Sequence, residues 1–246
     1  MQSIISEFDA ISLDEMDNVK LMSRVDTKFA FSQNLLVLLL KRLKKHYQIL
    51  EISGKRIHVY KSLYYDTDDR KFYIDHHNQR VDRNKVRFRE YVESGLSFLE
   101  IKLKNNKGKT IKKRMKVDKI STELTEKHQQ YINKIIGDSI ELHSQQWINF
   151  NRLTFVHKVH KERLTMDINL SFRDKDKSGM LNELVIAEVK QEKMSRSSDF
   201  MRIAKEMSIL PIRMSKYCIS TAELEPTIKK NRFKKKLLFI NKIKKL

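Results

Sequence analysis

Residues 85–104 read KVRFREYVESGLSFLEIKLK. Side chains alternate across a strand, so residues two apart share a face. Over 85–92, Lys85, Arg87, Arg89 and Tyr91 point one way and Val86, Phe88 and Val92 the other. Over 97–104, Phe98, Glu100, Lys102 and Lys104 oppose Leu99, Ile101 and Leu103. The turn Asn105, Asn106, Lys107, Gly108 leads into Thr110, Lys112, Arg114 and Lys116, which oppose Ile111, Met115 and Val117. The pattern recurs over 163–172. There Arg163, Thr165, Asp167, Asn169 and Ser171 oppose Leu164, Met166, Ile168, Leu170 and Phe172. Over 184–190, Glu188 and Lys190 share a phase.

Several strands therefore carry an apolar face and a face rich in arginine and lysine. In an open antiparallel sheet the charged face meets water. If the sheet closes into a barrel with helices over its apolar outside, the charged faces line a lumen. Buried positive charge on that scale needs a polyanion, or water and carboxylates, to balance it. Helices are expected over about 34–47, with Ser32 as N-cap, over about 122–136, and over about 197–209, stopped by Pro211.

Composition narrows the partner. The 246 residues are 40% apolar and carry a formal net charge of +20. Nine basic residues and no acid lie in 229–246, which leaves +11 on the rest of the chain. Such a balance suits a polyanion (nucleic acid, anionic lipid or a phosphate-rich small molecule), or it merely keeps a lysine-rich chain soluble. The longest apolar run, 35–40, ends at Lys41 and falls far short of the ~18 residues of a membrane span. The N-terminus is acidic, unlike a secretory signal. The single cysteine, Cys218, rules out a disulfide framework, so a reducing cytoplasm is expected. With two prolines and five glycines no linker splits the chain, which reads as one domain over 1–226 and a tail over 227–246. On a helix the tail would place Phe233, Leu237, Ile240 and Ile243 on one side. His76 and His77 read as surface residues of a turn, His157 and His160 lack a partner set for zinc, and Cys218, Trp147 and Phe150 read as packing residues.

An ordered series of short motifs goes further. It runs Arg24-Val25-Asp26-Thr27-Lys28, Tyr64-Tyr65-Asp66-Thr67, Arg87-Phe88-Arg89, Glu100-Ile101-Lys102 and Ile111-Lys112-Lys113-Arg114. It continues with Asn151-Arg152, Arg163-Leu164-Thr165-Met166-Asp167, Glu188-Val189-Lys190 and Arg213-Met214-Ser215-Lys216-Tyr217-Cys218. Over roughly residues 20–220 the series resembles the polyphosphate polymerase domain of the vacuolar transporter chaperone (VTC) complex and its bacterial relatives. These belong to the triphosphate tunnel metalloenzyme, or CYTH-like, superfamily. The resemblance implies an α+β fold, an antiparallel β-barrel or tunnel with flanking helices. It places phosphate-binding tunnel residues at Lys28, Arg87, Arg89, Lys102, Lys112, Arg152, Arg163 and Lys216, with Arg114, Lys190 and Arg213 as weaker candidates. It places the metal-binding carboxylate, for Mn²⁺ or Mg²⁺, at Glu188. Asp26 stands where glutamate is usual, Phe29 where tyrosine is common, and Arg213 where the eukaryotic enzyme has lysine.

The implied activity is synthesis of polyphosphate from ATP. Phosphoryl transfer asks mainly for positioning and charge neutralisation. Arg87 and Arg89 would grip phosphate from one face and should repel each other in the empty tunnel. Arg152 and Arg163, on neighbouring strands, would hold another phosphate. Glu100 and Asp167 either assist the metal or orient an arginine. The same tunnel would suit a triphosphatase with an activated water. A third reading, a non-catalytic polyanion or RNA binder, lacks a stacking-aromatic signature. The tail either stays solvated, disordered or partly helical, or docks on anionic lipid, on a membrane-protein partner at the inner face of a membrane, or on the emerging polyphosphate.

Overall fold

In the computed structural model, which describes residues 1–17, 25–106, 110–193, 195 and 198–245, the alternating stretches are strands. Arg24, Lys107, Gly108, Ser197 and Leu246 lie outside these residues. The strands are β1 (Ala10–Ile11), β2 (Val25–Ser32), β3 (Tyr47–Leu50), β4 (His58–Asp66), β5 (Arg83–Tyr91), β6 (Leu96–Lys104), β7 (Thr110–Val117), β8 (His143–His157), β9 (Glu162–Arg173), β10 (Ser178–Leu181) and β11 (Leu184–Gln191). The helices are α1 (Gln2–Ser6), α2 (Leu13–Asp17), α3 (Leu36–Leu43), α4 (Lys71–His77), α5 (Glu126–Ile136), α6 (Asp199–Glu206), α7 (Lys216–Leu224) and α8 (Lys234–Ile243).

One sheet runs β2-β11-β9-β8-β4-β5-β6-β7, with β3 on β8, β1 on β3 and β10 on β9. Its pairs are antiparallel except the short β1–β3 contact. No pairing joins β2 to β7, so the barrel is not closed by hydrogen bonds among the described residues. The sheet instead curls into a tunnel. Lys102 on β6 feels the charges of Lys28 on β2 and Glu188 on β11, from the far end of the strand order. Part of the seam is covered where Pro211 bridges to Phe29 and the Ile212 N–H donates to the Lys28 carbonyl at 2.7 Å.

Helices cover the apolar outside, as the alternation requires. Phe29, Phe155, Met166 and Val189 pack under α3 and α6, and Val86, Phe88, Leu99 and Ile101 pack under α5. Ser32 does cap the first of these: its hydroxyl accepts from the Asn34 N–H, and a 3₁₀ turn leads into α3. α3 ends at Leu43, short of the expected 47, because Tyr47 and Ile49 pair with β8 and bury themselves completely. α5 starts at the reciprocal Thr125–His128 cap and stops at Gly137, whose φ of 88° suits glycine. α6 is shorter than expected too, running from the Ser198 cap to Glu206, before Pro211 is reached.

One irregularity changes which residues face inward. Asn169 has φ 52°, and the β8–β9 register slips between Asn149 and Asn151. The extra residue in β9 flips everything beyond it to the other face. Leu164, Met166 and Ile168 stay in the outer core, whereas Leu170 and Phe172 turn to the cluster under α7 and α8. Unbroken alternation over 163–172 is therefore corrected.

The C-terminal segment is docked. Phe233, Ile240 and Ile243 are buried in the cluster with α7, while Leu238 is 58% exposed. The Tyr73 hydroxyl donates to the Lys229 carbonyl at 2.9 Å, and the Arg232 N–H donates to His77 Nε2 at 3.2 Å. His77, expected at the surface, is fully buried at the end of α4, edge-on to the Phe233 ring. The neighbouring turn is thus a helix end that receives the tail. Phe233→Ala should destabilise the protein by about 3 kcal/mol in urea unfolding, whereas Leu238→Ala should have almost no effect. Equal midpoints for the two variants would mean that the tail is undocked in solution.

Candidate active site

The inward faces of β4, β5, β6, β7, β8, β9, β11 and β2 bring most of the expected residues into one lumen. Two carboxylates organise it. Glu100 on β6 accepts Arg87 Nε and Nη2 at 2.9 and 2.6 Å on one oxygen. Its other oxygen meets Lys112 from β7 and the Tyr91 hydroxyl. Asp167 on β9 accepts Arg152 Nε at 2.6 Å and Nη2 at 2.8 Å, one on each oxygen. It also pairs with Lys216, the first residue of α7, which Ser215 caps by accepting the Cys218 N–H. Both acids are almost wholly buried. Glu100 and Asp167 therefore hold arginines and lysines in place.

Aromatic rings form the floor beneath the cations. Arg152 lies 4.7 Å from the Tyr60 ring centroid, Arg89 lies 5.4 Å from it, and Lys216 Nζ is 4.6 Å from that of Phe150. Arg89 donates to the Ser62 hydroxyl at 3.0 Å. Arg114 lies over Phe98 at 4.7 Å.

Glu188 differs from the other two acids. It faces Lys28 in the β2–β11 register, and its carboxylate has Lys190 Nζ at 3.9 Å. Arg163 pairs in register with Lys190 and reaches the Met16 carbonyl at 3.3 Å. It stands four residues along β9 from Asp167, where Arg152 is anchored, a strand distance of about 13 Å. Arg213 is exposed beside the seam.

A model of the VTC domain family matches residues 23–225, most of the chain. The chain belongs to the VTC domain family. No curated protein sequence matches it significantly. Among solved structures, an adenylyl cyclase candidate from Hippeastrum, described as having a dominant triphosphatase activity, is similar at TM-score 0.53 and 15% identity. That match covers 83% of this chain and 97% of the other. An adenylate cyclase candidate from Bacillus halodurans gives TM-score 0.51 at 12% identity, covering 78% and 94%. At such identities the likeness is one of fold: a triphosphate tunnel of the CYTH type.

Charge crowding dominates the electrostatics of this VTC domain. Burial favours neutral carboxyls, but the adjoining cations win: Arg87, Arg89 and Lys112 hold Glu100 well below the usual carboxylate range, and Arg152 and Lys216 do the same to Asp167. Glu188 is drawn down to about 2 against its burial, chiefly by Lys190 and Lys28. Desolvation in the lumen wall and repulsion from Lys28 and Lys85 lower the Lys102 ammonium to about 8, although water still reaches its side chain. Lys112 also falls to about 8, mainly through desolvation. Tyr64 is opposed by burial, yet Arg87, Arg89 and Lys85 bring its hydroxyl to about 8.

Two participants escaped the sequence reading. Lys85, in phase with Arg87 and Arg89, donates to Ser215 at 2.8 Å. Tyr64 accepts from Arg87 Nη1 at 2.6 Å and stacks on Tyr217, whose hydroxyl donates to the buried Asp66. The phase marked Lys85, and the Tyr64-Tyr65-Asp66-Thr67 motif marked Tyr64.

The carboxylate of Glu188 fits a hard divalent cation, because Glu100 and Asp167 are committed to arginines. Outside the lumen, His46, His157 and Asp199 also gather, with candidate ligand atoms within 4.8 Å. That gives His157 the partners the sequence did not reveal. His157 Nδ1 accepts from the N–H groups of Val159 and His160, so Nε2 carries the proton and donates to Asp199 at 3.0 Å. A ring in that tautomer clamps α6 rather than ligating a metal.

The pairing of Arg87 corrects the expectation that it and Arg89 merely repel each other. Arg87→Ala should lower stability by about 3 kcal/mol, since it strips Glu100 of its bidentate partner, whereas Arg89→Ala should change stability little. Chemical denaturation of both variants checks this, and equal losses would contradict the assignment. The pH dependence follows from Lys102, Lys112 and Tyr64. Each folded pKa lies below its unfolded value, so the unfolded chain binds more protons above pH 8. Stability of the ligand-free protein should therefore rise between about pH 8 and about pH 9.5. Tripolyphosphate affinity should fall over the same interval as the lysines lose charge. Calorimetry across that range measures both, and an affinity that rises with pH would refute the assignment.

Proposed function

We propose that this chain transfers the γ-phosphoryl group of ATP to the end of a growing inorganic polyphosphate chain. The observation that carries this reading is how two buried acids of the lumen are used. Glu100 and Asp167 are ionised and locked to arginine and lysine, so neither is free to take a proton from water. A hydrolase must activate water. A polymerase needs no protein base, because the terminal phosphate oxygen of the chain is already an anion. That oxygen attacks the γ-phosphorus, the bond to the β–γ bridging oxygen breaks, and ADP leaves with the electron pair.

The side chains supply position and charge. Arg87 and Arg152 present planar guanidinium groups whose orientation Glu100 and Asp167 fix, which suits phosphate oxygens. Lys28, Lys102, Lys112 and Lys216 add point charges that stabilise the in-line displacement. Glu188 would hold Mn²⁺ or Mg²⁺, and the bound ion would neutralise charge on the leaving diphosphate. The second reading, a triphosphatase, is favoured by the activity described for the Hippeastrum neighbour.

Incubation with ATP and Mn²⁺, followed by electrophoresis of the products, separates the two. Long phosphate chains with one ADP released per phosphate added are expected, and orthophosphate and ADP without chains would establish the triphosphatase. Glu188→Gln should abolish turnover while leaving the circular dichroism spectrum and part of the ATP binding intact, because the cations remain. Full activity in that variant at saturating Mn²⁺ would remove Glu188 from the metal site.

A further inference from the structure

The start of the tail helix packs on α4 at His76 and His77. Phe233 wedges the start of α8 against α4, with its ring 6.2 Å from that of His76 and 5.2 Å from that of His77. Lys236, one turn on, lies 5.4 Å from the Phe233 ring centroid and is half-buried. Its ammonium is destabilised first by desolvation and then by Arg213. His76 is pressed harder. Burial lowers its pKa most, and Lys85, Arg83, Lys236 and Lys28 add to the effect, bringing it to about 2.

Those four cations come from two places. Lys28 and Lys85 belong to the lumen, where Lys85 is fixed by its hydrogen bond to Ser215 at 2.8 Å. Lys236 belongs to α8, and Arg83 opens β5, the strand that carries Lys85. Arg83 shares a strand face with Lys85, whose partner Ser215 stands two residues from Arg213. A folded protein that crowds like charges at a junction has lower stability there, unless an anion enters. α8 cannot move away, because Ile240 and Ile243 anchor it in the core.

We propose that the basic lumen continues past His76 onto α8, so that Arg83, Arg213 and Lys236 form an outer subsite for the part of a linear polyphosphate chain that extends beyond the tunnel. The subsite rests on the polyphosphate reading and deepens it. It reads no sequence and needs no metal: successive phosphates meet successive cations. A tripolyphosphate is held by the lumen alone. Only a long chain spans both regions and gains from linking them.

The test compares binding of tripolyphosphate and long-chain polyphosphate to the full chain at low salt. The variants are Lys236→Gln, Lys236→Glu and Lys234→Glu. Lys234 is exposed on the other side of α8, so its reversal makes the same change in net charge away from the junction. Lys236→Glu should weaken long-chain binding about tenfold and Lys236→Gln about threefold. Tripolyphosphate binding should change less than about twofold, and the salt dependence of long-chain binding should shallow by roughly one charge. Lys236→Gln decides the matter if the charge reversal fails to fold. Equal weakening by Lys234→Glu and Lys236→Glu would overturn the subsite in favour of general attraction, as would unchanged long-chain binding in both Lys236 variants. An oligonucleotide that binds as tightly as long polyphosphate, with equal loss in Lys236→Glu, would overturn its assignment to polyphosphate. Wild-type protein that binds neither phosphate ligand would instead refute the proposed function.

Discussion

Two buried carboxylates make the tunnel possible. A lumen lined by arginines and lysines would repel itself open if nothing inside it were negative. Glu100 and Asp167 each sit between an arginine and a lysine and take bidentate bonds from the arginine. Desolvating an ion pair costs more than it returns unless the geometry is good and the remaining hydrogen bonds are made. Here those conditions are met, so the pairs fix where each guanidinium points. Asp167 has a further effect. Its second cation, Lys216, begins α7, so the charge balance of the lumen and the packing of α7 against the tunnel's end are one arrangement. Asp66 ties the same helix from the other side, through the Tyr217 hydroxyl and the N–H groups of Phe72 and Tyr73.

The strands were legible because their chemistry has period two. In β5, β6 and β7 a largely charged face alternates with a largely apolar one, and the strand period puts Arg87, Glu100 and Arg114 on one face. What the sequence hid are the places where period fails. The leucines of α3 continue into Tyr47-Gln48-Ile49, which fit a helix as well as a strand. Pairing with β8 decides between them, and pairing is a long-range fact. The bulge at Asn169 is one residue with a left-handed backbone, and nothing in the alternating text announces it. The candidate site was readable as a set of charges on one face. Which acid pairs with which base was not, because those partners lie on different strands: Arg152 and Asp167, Lys112 and Glu100, Lys216 and Asp167.

The tail shows how a composition can be right and its meaning incomplete. Its apolar stripe is real, and a stripe of that kind fits a lipid surface as readily as a protein groove. In the fold, Phe233, Ile240 and Ile243 are already covered by α4 and α7. What remains outward is mostly lysine with Leu238, so any contact with a membrane or partner through this face rests on charge and is screened by salt. No helix among the described residues is long and apolar enough to cross a membrane.

Electrostatics also explains why such a lumen would suit polymerisation and hydrolysis alike. The cations stabilise charge on the transferring phosphoryl group whatever attacks it, so they do not select the nucleophile. Selection falls to what occupies the attacking position. A lumen full of positive charge would concentrate phosphate chains there and give neutral water no such advantage. Water gains only if a base is free to accept its proton. With Glu100 and Asp167 held ionised by their cations, and Glu188 drawn to about 2 by Lys190 and Lys28, each carboxylate is a poor proton acceptor. The same crowding that would favour polyanions in the lumen therefore weakens these carboxylates as bases for hydrolysis.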